Sequence, residues 1–148
     1  MISCDQDLYA WTFENTQLLR EGRLAEIDVA HIIEQLEGMA NRDKQQLFNC
    51  FDILLVQLLK WQFQAGRRTG SWKQTIIEQR RQIEHILTAS PTLRHQLSDN
   101  FMEIYAKVVK QAAQETRLPF TTFPTTCPYT LEQALDNRFY PAIEVRHD

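Results

Sequence analysis

Asp28-Val29-Ala30-His31-Ile32-Ile33-Glu34-Gln35-Leu36-Glu37-Gly38-Met39, running on to Leu47-Phe48-Asn49-Cys50-Phe51-Asp52-Ile53-Leu54-Leu55-Val56-Gln57-Leu58-Leu59-Lys60, decides the fold. Ile32, Leu36, Met39, Leu47, Cys50, Leu54 and Leu58 recur at helical spacing, so one apolar stripe runs the length of the stretch. Asp28 is placed to cap its start, with Ile27 and Ile32 spaced as a hydrophobic staple. Gly38 and Asn41 fall inside it, and an interior Gly costs ~1 kcal/mol relative to Ala. The apolar phase is the same on both sides of them, which predicts a bend rather than a break. Unbroken over 28–64, the helix would be ~55 Å long at ~1.5 Å per residue. A domain of this size has a radius of gyration of only ~15 Å. The stripe is therefore either covered by its own domain or buried against a second copy or another protein.

Working outward, Asp5 or Asp7 opens a first helix over 5–21, with Leu8, Trp11, Leu18 and Leu19 near one face and Gly22 ending it. The segment 65–70 reads as a turn. Ser71 with Gln74 forms a capping box for a helix over 71–88, whose buried side carries Trp72, Ile76, Ile83 and Leu87. Ser90-Pro91 signals another start, and Leu93, Leu97, Phe101, Ile104, Tyr105, Val108 and Ala112 carry that helix over 91–116. Three prolines then predict an extended arm over 118–129, anchored by Phe120, Phe123 and Tyr129. Thr130 with Gln133 opens a short helix over 131–136. The expectation is one all-α domain over 1–148: an irregular bundle of four main helices, a basic helical hairpin, a Pro-rich arm and a short last helix.

Composition is that of an ordinary globular chain, 43% hydrophobic and 24% charged over 148 residues. Cys4, Cys50 and Cys127 are odd in number and widely spaced, which excludes a disulfide framework and fits a reducing compartment. No basic segment followed by an apolar one opens the chain, and no stretch approaches the ~20 apolar residues of a membrane span. A cytoplasmic location is expected, with no membrane partner.

Two groups of words in the sequence are distinctive. One is Leu58-Leu59-Lys60-Trp61-Gln62-Phe63-Gln64, leading through Arg67-Arg68 into Ser71-Trp72-Lys73-Gln74-Thr75-Ile76-Ile77-Glu78-Gln79-Arg80-Arg81. The other is Glu115-Thr116-Arg117-Leu118-Pro119, Thr122-Phe123-Pro124 and Cys127-Pro128-Tyr129-Thr130-Leu131-Glu132-Gln133. With Asp5 to Trp11, they resemble an uncharacterised bacterial family, domain of unknown function twenty-nine, over nearly the whole chain. The resemblance implies a small α-helical cytosolic protein. It implies no activity, cofactor or site residue.

The net charge of −3 is unevenly spread. Residues 1–59 carry four basic and ten acidic side chains, whereas residues 60–81 carry six basic and one acidic. Lys60, Arg67, Arg68, Lys73, Arg80 and Arg81 alternate there with Trp61, Phe63 and Trp72. Such a set could grip phosphates and stack on unpaired bases. It could equally pack on the core, the arginine stems covering the rings and their charges pairing with acidic helices. The candidate binding patch is accordingly Lys60, Trp61, Arg67, Arg68, Trp72, Lys73, Arg80 and Arg81.

Other chemistry finds little support. Asp28, His31 and Glu34 could share a helical edge, but a di-iron bundle needs paired Glu-x-x-His motifs, and Asp28 is better read as a cap. No metal and no cofactor are expected. Cys127 precedes the helix opened by Thr130, the one detail favouring a nucleophile, while Cys50 lies on the apolar stripe. Phosphate loops, H-E-x-x-H and G-x-S-x-G are absent from the sequence. A hydrolase or nuclease would require Glu78 or His85 beside Arg80 in an open cleft. The sequence thus points away from an enzyme and toward a self-associating protein-interaction module, with nucleic-acid binding by the 60–81 hairpin as the alternative.

Overall fold

Asp7 opens the first helix: its Oδ1 accepts from the Ala10 N–H at 3.0 Å, satisfying a donor that the helix itself cannot. The computed structural model describes residues 2–64, 66 and 70–142. Among them are six α-helices and no strand: α1 Leu8–Arg20, α2 Val29–Phe63, α3 Gly70–Ala89, α4 Leu93–Asp99, α5 Phe101–Thr116 and α6 Leu131–Leu135. Short 3-10 turns lie at Leu24–Glu26 and Phe120–Thr122. No helix of the described residues is long and apolar enough to cross a membrane. The chain divides into two compact units, residues 1–42 and 43–148, and α2 supplies residues to both.

In the first unit Gly22 ends α1 in the left-handed region, at φ 72°, where a Cβ would be strained. Asp28 caps α2 through the His31 N–H. Among the described residues of this unit, only Cys4, Trp11 and Asn15 are buried. Leu8 and Leu19, expected beside Trp11 on an inward face, are exposed instead.

The second unit holds the main core. From Leu54 to Leu59, α2 is buried on every side except at Gln57, as a central helix must be. Around it stand Ile76 and Ile83 of α3, Leu97 of α4, Ile104, Val108 and Ala112 of α5, and Phe123 and Tyr129 of the arm. Gly38 and Asn41 do not interrupt α2.

Three local expectations change. The helix expected over 91–116 is two, parted at Asn100, whose side-chain amide donates to the Gln96 carbonyl at 2.8 Å. Asn bonds nearby backbone in this way and so competes with the helical ladder. Pro91 lies in a turn closed by i→i+3 bonds from Leu93 and Arg94, so α4 begins two residues later. α3 begins at Gly70, which puts Ser71 inside its first turn rather than at the cap. The arm contains a 3-10 turn that leaves Phe120 57% exposed, while Phe123 and Tyr129 are buried as anchors. The box of Thr130 and Gln133 forms in full.

Candidate functional site

Of the six described residues of the basic patch, Arg80 is buried, Lys60, Trp61 and Trp72 are half-buried, and Lys73 and Arg81 are exposed. Arg80 is only 2% exposed; its Nε donates to the Ala134 carbonyl at 2.9 Å and its Nη2 to the Phe139 carbonyl at 2.8 Å. Its Nη1 has no hydrogen-bond partner among the described residues. Burial holds this guanidinium below its ordinary value, against the opposing pull of Tyr140 and Asp136. Its Cζ also lies 5.4 Å from the centre of the Tyr140 ring.

Tyr140 gathers two more of the patch residues. Trp61 packs on it at 5.1 Å between centroids, and the Lys73 Nζ sits 5.6 Å from its ring centre. The Lys60 Nζ lies 4.9 Å from the ring centre of the half-buried Trp72. Arg81 is paired with Glu78 through two bonds, 3.0 and 2.6 Å. Those bonds, with one from Gln82, hold the Glu78 carboxyl at about 2. Arg67 and Arg68 lie outside the described residues. Trp61, Lys73 and Arg80 of the patch are therefore brought together around Tyr140, which the sequence did not tie to them.

Two clefts flank α3. Arg80, Glu84, Arg94, Asp136 and Arg138 help line one of ≈ 560 Å³, with Leu135 and Ile83 as its apolar wall. His85 and Arg81 line another of ≈ 280 Å³. Neither Glu78 nor His85 lines the cleft that Arg80 lines. No thiol is activated either: burial pushes Cys127 up to about 11 and raises Cys50.

The first unit presents a different kind of surface. Among the described residues, ten of the fourteen exposed large hydrophobic side chains lie in residues 1–42. Tyr9 and Phe13, one turn apart on α1, are 85% and 65% exposed and help line an open groove of ≈ 550 Å³. On α2, Val29, Ile33 and Leu36 follow at helical spacing with Met39 beside them, Leu36 being 60% exposed. Leu36 and Met39 belong to the stripe that is buried at Leu47, Cys50, Leu54 and Leu58. At the first sequence signal for a partner, the uncovered portion is thus its N-terminal part.

Behind this face a polar cluster joins the N-terminal turn to α2. Bonds from Gln6 and Asp7 to the Ser3 carbonyl shape that turn. Cys4, Asp5 and His31 each offer a ligand atom within 4.8 Å of the others. Asp28 Oδ2 accepts from the Trp11 indole at 2.9 Å and meets His31 Nδ1 at 2.8 Å. The Trp11 bond, then those of His31, hold the Asp28 carboxyl below its ordinary value against partial burial. Burial, then Asp5, Asp28 and Glu34, raise the Cys4 thiol. Sequence reasoning tested His31 with Asp28 and Glu34 but missed Cys4 and Asp5. A separation of 26 residues leaves no spacing signal to find.

No curated protein and no solved structure matches the chain. A family model does, over residues 4–140, and the chain belongs to that family, the domain of unknown function DUF29.

Proposed function

We propose that this protein is a non-enzymatic interaction module that self-associates through the apolar face of residues 1–42. The carrying observation is the concentration of exposed apolar side chains on that one unit, which buries only three of its described residues. At roughly 100 Å² apiece, ten such side chains offer on the order of 1,000 Å², against ~800 Å² per partner in a stable interface. A unit of about 40 residues with so small a core ordinarily relies on oligomerisation or a staple.

Charge order favours a second copy as the occupant. Along α2, Glu34 and Glu37 precede Arg42-Asp43-Lys44, a segment that is net basic by one charge. Two antiparallel α2 stripes related by a two-fold axis set the acidic stretch of each against the basic stretch of the other. Leu36→Asp and Phe13→Asp test the reading, since both side chains already face solvent and their loss leaves the core intact. Each variant should elute from a sizing column later than the parent with an unchanged circular dichroism spectrum. Co-elution of parent and both variants rejects this interface.

The alternative, nucleic-acid binding by Lys60, Trp61, Arg67, Arg68, Trp72, Lys73, Arg80 and Arg81, has less behind it. Trp61 packs on Tyr140, Arg80 is buried and Arg81 is paired with Glu78, so these three are already engaged within the chain.

A further inference from the structure

We infer that Cys4, Asp5 and His31 form a binding site for a zinc-class divalent cation. Their three ligand atoms converge within 4.8 Å of one another although the residues come from the N-terminal turn and the first turn of α2. Thiolate, imidazole and carboxylate together are the donor set of zinc and of its spectroscopic substitute cobalt, and differ from the all-oxygen sets of magnesium and calcium. Three protein ligands leave the fourth tetrahedral position to water.

The surroundings have the form of an outer shell. A histidine that ligates a metal through one nitrogen commonly donates the other N–H to a carboxylate, which fixes the ring. Asp28 stands 2.8 Å from His31 Nδ1, leaving Nε2 as the ligating atom. Asp28 is itself fixed by the Trp11 indole at 2.9 Å and by capping α2 through the His31 N–H. Asp5 and Asp28 then supply the negative field that draws a cation to the nearly buried Cys4. On binding, the Cys4 S–H bond breaks, the sulfur lone pair binds the metal, and one proton passes to solvent.

The site also has a structural consequence. It fastens the turn before α1 to the start of α2, across a unit whose buried residues are only Cys4, Trp11 and Asn15 among those described. Metal is one of the staples by which so small a core is held.

The test is titration of the full-length protein with Co²⁺ under reducing, chelator-free conditions. One equivalent should produce a saturable thiolate-to-cobalt charge-transfer band with the visible bands of tetrahedral cobalt, and Zn²⁺ should displace it. Cys4→Ser should abolish the charge-transfer band, whereas Cys50→Ser and Cys127→Ser should keep it. Asp28→Asn should weaken binding about 10–100-fold, as outer-shell losses do. Asp5→Asn and His31→Gln, at positions only partly buried or exposed, provide the same reading should Cys4→Ser fail to fold. Absence of the band in the parent, or its survival in Cys4→Ser or in both Asp5→Asn and His31→Gln, overturns the site.

Discussion

Arg80 Nε donates to the Ala134 carbonyl at 2.9 Å, tying the middle of α3 to α6. A second bond, from Nη2 to the Phe139 carbonyl, makes the guanidinium a two-pronged clasp on the C-terminal segment. An ammonium cannot reproduce that fork. Arg80→Ala and Arg80→Lys should therefore each lose about 2–4 kcal/mol in urea unfolding, as buried carbonyls go unpaired and, in the first case, a cavity opens. A loss below about 1 kcal/mol in both would show that the clasp contributes little.

The same placement removes Arg80 from any surface a polynucleotide could reach. Fluorescence anisotropy with single-stranded DNA and RNA over a salt series should show no saturable binding that weakens as salt rises. Reversal of Arg67 and Arg68 to Glu should change nothing. Tight, salt-sensitive binding lost on that reversal would restore the nucleic-acid reading.

Alkaline pH should destabilise the second unit through one buried group, Tyr105, and one partly buried group, Cys127. The Tyr105 hydroxyl donates to the Pro124 carbonyl at 2.6 Å, and burial, aided by Cys127, pushes it from 10.0 up to about 12. Burial pushes Cys127 from 9.0 up to about 11. In both cases the folded chain keeps its proton to higher pH than the unfolded chain, so stability falls as pH rises. The loss should run from about 9 to about 11 through Cys127 and from about 10 to about 12 through Tyr105. Cys127→Ser should remove the lower part of this decline and Tyr105→Phe the upper part. A urea midpoint that stays level up to pH of about 12 contradicts the burial of both groups.

Local signals carried most of the fold. Asp7, Gly22, Asp28 and the Thr130–Gln133 pair each act through neighbours within four residues, and each marks in the structure the boundary it marks in the sequence. Asn100 was less legible because the apolar phase from Leu97 to Phe101 runs straight through it, and only its bond to Gln96 breaks the helix. Long-range pairings left no local trace. That Tyr140 would collect Trp61, Lys73 and Arg80, or that Cys4 would meet His31, depends on packing between residues 27 to 79 positions apart. The stripe on α2 was plain in the sequence, but which portion is uncovered depends on where the other helices stop.

Sedimentation equilibrium of the full chain at several loading concentrations addresses self-association through residues 1–42 most directly. The expected result is a reversible dimer whose mass falls toward the 17.5 kDa monomer on dilution, and a Leu36→Asp variant that stays monomeric throughout. A parent chain that sediments as monomer at every concentration, up to the hundreds-of-micromolar range that even weak interfaces populate, would contradict it.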